Sequence, residues 1–186
     1  YLFWPALIGV CALFVSLTLT LVAPFFDVPG MVQRGMLDYY SDFLLGEEPK
    51  DGVMTIHGGT LFDYYFTLDR SLPGPVRTRQ VLVGYLRGLL AVIEAHDDNL
   101  TVRGTSYIVG ERTARRVGLS QESTDTTQYL ILGMSYLNLM VSMRLVKGRW
   151  ELPDLKRVRT FTGRVGEIRE REPYIRELLD RLERRL

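Results

Sequence analysis

The sequence predicts an α+β chain: a single N-terminal transmembrane helix followed by one small, mostly helical domain with a short β-hairpin or small antiparallel sheet. Three observations predict it. The opening stretch YLFWPALIGVCALFVSLTLTLVAPFF carries no charge across residues 1–26. A long amphipathic pattern over 75–96 lies between short runs rich in β-branched and aromatic residues. A charged seam with regularly spaced leucines closes the chain. An all-α domain is the alternative, and it turns on whether residues 60–68 form strand or helix.

The first stretch reads as an anchor because of its length. A hydrocarbon core about 30 Å thick takes roughly 20 helical residues at about 1.5 Å each. The run from Leu2 to Phe26 exceeds that, and Asp27 is the first charge. A cleaved secretory signal has a shorter apolar region and a small-residue cleavage site. Here Leu21 and Pro24 flank the place where such a site would stand. A soluble core helix would show a polar stripe, whereas only Ser16, Thr18 and Thr20 interrupt this one. Trp4, Phe25 and Phe26 suit the interfacial aromatic belt. In the flank just after the run Arg34 is the sole basic residue, which favours a translocated domain. The expected location is a bacterial inner membrane, with the domain on the periplasmic side.

Residues 27–51 read as a membrane-proximal helix and loop. In GMVQRGMLDYYSDFLLG, Met36, Tyr39, Tyr40, Phe43 and Leu44 share one helical face, with Gly46 as C-cap. Tyr39, Tyr40 and Phe43 would touch the membrane interface, unless the segment is simply a first core helix. EEPKD is a loop. Residues 52–186 then form the domain.

VMTIH, GG and TLFDYYFTL predict a hairpin turning at Gly58-Gly59. The rival is a helix capped by Thr60 with Asp63 three residues on. SLPGP breaks the chain, and a helix starts at Pro75 and runs to His96. Its exposed stripe would be Arg77, Gln80, Gly84, Arg87, Ala91 and Glu94, with Leu82, Leu86, Leu89 and Ile93 facing the core. NLTVRGTSYIV reads as a strand, ERTARRVG as a short basic helix and SQESTDTTQ as an exposed loop. Residues 129–146 are apolar but too short to span, so a central helix of the domain is favoured over a re-entrant segment. Toward the end, Ile168, Ile175, Leu178, Leu179, Leu182 and Leu186 keep a helical seam that Pro173 should interrupt. Glu172–Arg176 and Glu177–Arg181 are among its i,i+4 pairs. The seam docks on its own domain or on a partner.

Composition narrows the chemistry. The net charge is +1, unevenly spread: 27–69 carries eight acids and two bases, and 147–186 eight acids and twelve bases. A nearly neutral chain with this distribution points away from nucleic acid. Cys11 is the single cysteine, so the chain can form no internal disulfide and no cysteine-cluster metal site. His57 and His96 stand in no ligand spacing, and Asp97-Asp98 after a helix reads as a turn. No nucleophile elbow, zinc-ligand helix or phosphate loop occurs. The expectation is therefore no catalytic residue, no metal and no cofactor. Arg112, Arg115 and Arg116 form the most concentrated basic feature, able to hold an anion or an acidic partner surface. The sequence thus predicts a non-catalytic single-pass subunit that scaffolds or stabilises a larger complex, with other membrane proteins and the lipid bilayer as partners. The alternative is an anchored domain that binds a small anion or lipid headgroup at those arginines.

Overall fold

The computed structural model describes residues 3–106, 109–122, 133, 136–154 and 158–186, and in the first helix all side chains except those of residues 3, 6, 20, 21 and 24–26. In chain order the described elements are α1 (Phe3–Gln33), β1 (Leu37–Ser41), β2 (Leu44–Glu47), β3 (Val53–Gly58), α2 (Leu61–Thr67), α3 (Gly74–Ala95), β4 (Thr101–Ser106), α4 (Glu111–Arg116), β5 (Ser120–Glu122), α5 (Tyr136–Lys147), β6 (Arg159–Arg164), α6 (Val165–Glu170) and α7 (Glu172–Glu183). The strands form one mixed sheet in the order β1-β2-β3-β4-β6-β5. β3 and β4 are its parallel pair, joined by α3, and every other neighbouring pair is antiparallel. The class is α+β, but the expected plan of one transmembrane helix with a hairpin or small antiparallel sheet is corrected: the sheet is six-stranded and mixed.

The transmembrane anchor expected over 1–26 is corrected by the structure. Among the described residues, no helix is long and apolar enough to cross a membrane. α1 continues past the uncharged run, through Asp27 and Pro29, to Gln33. With no span, the inner-membrane location and the periplasmic placement of the domain lose their basis.

The helix expected over residues 30–46 is also corrected. α1 stops at a Schellman motif: Gly35 takes φ 68°, its N–H reaches the Val32 carbonyl, and the Met36 N–H reaches that of Met31. The chain then enters a hairpin in which Tyr39 pairs with Leu45 and Asp38 with Gly46. Its turn lies against two glycines of α3. A Cβ on Gly84 would come within 2.5 Å of Phe43 Cδ2, and one on Gly88 within 2.6 Å of Leu44 Cβ. Ser41 Oγ donates to the Gly84 carbonyl at 2.7 Å, which fixes the hairpin on the helix. Gly46, expected as a helix cap, is mid-strand beneath the Tyr40 ring.

β3 forms as expected, but the second arm of its predicted hairpin is α2. Thr60 caps the helix, its hydroxyl accepting from the Asp63 N–H while the Asp63 carboxylate accepts from the Thr60 N–H. The capping box supplies partners for two otherwise orphaned donors, and this local gain prevails over β propensity. α3 starts at a proline-containing first turn and ends at Ala95, close to the predicted limits. It is buried on more sides than one stripe allows. Met54, Val102 and Phe161 of the sheet pack with Leu86, Leu89, Leu90 and Ile93, and Ile168 and Ile175 of α6 and α7 close the same core. The C-terminal seam therefore docks on its own domain, with Leu178, Leu179 and Leu182 against this core. Pro173 stands in the first turn of α7, where the chain breaks after α6. A second cluster of Phe43, Tyr64, Leu68, Val81 and Val146 ties α2, α3 and α5 together.

Beyond the β1–β2 hairpin, two further strands are not foreseen by the sequence. β5 lies in the segment expected as an exposed loop, and β6 (RTFTGR) runs beside β4 with Phe161 opposite Gly104. The rest of that loop, 123–128, lies outside the described residues, as do 129–132 of the second apolar run. The described part of that run, α5, is a helix of the domain in contact with α2 and α3.

Candidate functional site

The described surface offers four places to look. The arginine-rich α4 is six residues long and ends in a second Schellman motif, at Gly118 with φ 86°. Its three guanidinia do not act together. Arg115 is held by Glu111 at 2.5 Å, and Arg116 points to the Tyr174 hydroxyl at 3.5 Å, leaving Arg112 exposed. One of the three charges is thus already neutralised within the helix.

The residues expected at a membrane interface separate. Phe43 is core, 4 % exposed and stacked on Tyr64 at 5.5 Å between ring centres. Tyr40 is half-buried, its hydroxyl 2.5 Å from His96 Nε2 and 3.4 Å from Met54 Sδ. Burial raises the Tyr40 phenol above its usual range, and the nearby Asp38 charge adds to this. Tyr39 stays at the surface and donates to Asp63. Trp4 stands exposed near the start of α1, while the side chains of Phe25 and Phe26 lie outside the described set. The two histidines have structural partners: His57 Nε2 is 2.8 Å from Glu47, and His96 meets Tyr40. Asp98 pairs with Arg169 at 2.7 Å. Among the described residues, no group of three or more His, Cys, Asp or Glu side chains is placed to hold a metal ion.

A narrow apolar cavity of about 70 Å³ lies between α3 and the carboxyl ends of the parallel strands, lined by Ile56, Gly58, Tyr85, Leu89, Gly104 and Phe161 among others. The Tyr85 hydroxyl meets that of Tyr64 at 3.2 Å, and burial pushes the Tyr85 phenol upward. The cavity holds little polar surface to orient a reacting group.

A larger hollow of about 260 Å³ lies where the end of α1, β1 and the first turn of α2 meet. Val28 and Pro29 form one wall, and Tyr39, Phe62, Asp63 and Phe66 the others. Phe62 and Phe66, one helical turn apart, stack with ring centres 6.2 Å apart. Asp63 accepts from Tyr39 Oη at 3.1 Å and from the Thr60 N–H at 2.5 Å. Desolvation, and then the Asp63 charge, hold the Tyr39 phenol up at about 12. Sequence reasoning missed this site. The legible signal was the Thr60–Asp63 capping pattern, which places Phe62 and Phe66 on one face of the helix it starts.

The remaining surface feature is α1 itself. Trp4, Ile8, Val10, Leu13 and Phe14 are each between 61 and 70 % exposed, and Leu7, Val15, Leu17, Leu19 and Val22 are also exposed. At 100° per residue these side chains spread around most of the helix instead of along one stripe. α1 touches β1 and α5, and Val28 and Pro29 near its C-terminal end line the hollow beside Tyr39. Comparison of the chain with protein-family models, with curated proteins and with solved structures finds no match in any of the three.

Proposed function

We propose that the protein is a non-catalytic subunit of a larger protein assembly, held to its partners through α1 and stabilising them. The observation that carries this reading is the apolar surface of α1. Burying a large apolar side chain is worth about 1.5–3 kcal/mol. Ten such side chains exposed along one helix form a contiguous surface of the kind that marks an interaction site. Gly9, Ala12 and Ser16 fall in one narrow sector of the helix, where small side chains let a neighbouring helix approach closely. The domain is self-contained by comparison, since its sheet, α3 and α7 already bury one another.

The test is purification from the native source under mild conditions, followed by mass spectrometry. Stoichiometric partner proteins should accompany the intact chain. They should be lost from an Ile8→Asp, Leu13→Asp double variant whose thermal melt is unchanged. Recovery of the intact chain alone and monodisperse, or with lipid and no protein, would contradict the reading.

A further inference from the structure

The hollow between α1, β1 and α2 has a composition that selects its occupant. We propose that it receives an organic cation: an alkylammonium group, quaternary or at the tip of an aliphatic chain. The proposal does not depend on the subunit reading, because the site lies within one chain.

Three observations converge on it. First, Asp63 brings a carboxylate to the wall of the hollow, and among the described residues no lysine or arginine lines it. Its two hydrogen bonds come from neutral donors, the Tyr39 hydroxyl and the Thr60 N–H, so neither brings a compensating positive charge. Among the described residues, no basic side chain forms an ion pair with it. Second, Tyr39, Phe62 and Phe66 supply aromatic surface, and cations are drawn to the faces of aromatic rings. Phe66 is 73 % and Tyr39 44 % exposed, so this surface is open to a visitor. The next ring along already shows the chemistry within the chain, with the Arg70 guanidinium 4.3 Å from the centre of Tyr65. Third, the size fits. A dry cavity of about 150 Å³ holds a benzene molecule, and this one measures about 260 Å³.

Other occupants fit less well. An anion would face Asp63 with no basic residue among the described lining to offset it. A neutral apolar group would strip water from the carboxylate without replacing its charge partner, which is costly. A cation with an apolar body satisfies the carboxylate and the rings together.

The experiment is a titration of the full chain followed by nuclear magnetic resonance, at constant ionic strength, reading the amide signals of residues 60–66. The probes are choline chloride, n-butylammonium chloride and the neutral carbon isostere of choline. Saturable shifts with choline identify a quaternary site, and saturation by n-butylammonium instead identifies a primary amine such as a lysine tip. Asp63→Asn and Phe66→Ala should each weaken the binding cation about tenfold, a loss within reach of one charge or one ring contact. Asp63→Asn also alters the cap of α2, so the exposed Phe66→Ala serves as the variant that leaves folding intact. The proposal is overturned if neither cation saturates, if the neutral isostere binds equally well, or if Phe66→Ala leaves the affinity unchanged.

Discussion

Gly84 and Gly88 show how much one missing methyl group decides. They lie four residues apart on α3 and open a shallow groove into which Phe43 and Leu44 of the hairpin settle. Alanine at Gly88 would gain under about 1 kcal/mol of helix propensity, yet overpacking against Leu44 costs about 1–3 kcal/mol. Gly88→Ala should therefore lower the midpoint of urea unfolding, and an unchanged or higher midpoint would refute this packing. Tyr39 gives a second prediction at the same scale. Its folded pKa of about 12 lies above the ordinary 10.0 because of desolvation first and the Asp63 charge second. The phenol therefore contributes stability that is full below pH 10 and is lost as pH rises through about 12. Tyr39→Phe should flatten the alkaline decline of the unfolding midpoint within that window, and an unchanged decline would show that Tyr39 is not its source.

The elements show where local sequence decides and where distant packing does. α3, α4, α7 and the first five residues of β3 stand in the sequence with nearly their observed limits, because Pro75, Gly118 and Pro173 mark ends that local chemistry enforces. The 37–47 hairpin was not legible as strand, since its aromatics also fit a helical face. The groove of Gly84 and Gly88, more than forty residues away, settles it. β6 was hidden for the same reason: RTFTGR has one large apolar residue, and its place is set by pairing with β4. Arg77 shows the converse error. The sequence put it on the exposed stripe, but it is 7 % exposed beside Gly148 at the C-terminal end of α5, where a cation is favoured. Of the candidate site residues, Tyr39 alone was named in advance among those lining the larger hollow, because the hollow requires α2 to be helix. α7 supplies the prediction at this scale. Ile175 is fully buried against the shared core, so Ile175→Ala should cost about 2–5 kcal/mol. The surface pairs Arg176–Glu172 and Arg181–Glu177 are exposed and should each contribute under about 1 kcal/mol. Urea denaturation of Ile175→Ala and Arg181→Ala compares the two. Equal losses would mean that charge pairing, and not burial, holds α7 in place.

At the scale of the whole molecule, the domain and α1 have different relations to water. The domain turns its apolar residues toward one another, down to Met54, Val102 and Ile168, which have no measurable exposure. α1 leaves ten large apolar side chains exposed, and covering them is what would hold the chain to a partner protein. Crosslinking tests it most directly. A photoreactive phenylalanine analogue placed at Phe14, 70 % exposed on α1, is irradiated in intact cells of the native source, with the same analogue at exposed Arg112 on α4 as control. Adducts to one or a few defined proteins are expected from the α1 position and none of these from the control. Irradiation that yields no protein adduct at Phe14, or the same adducts from both positions, would contradict it.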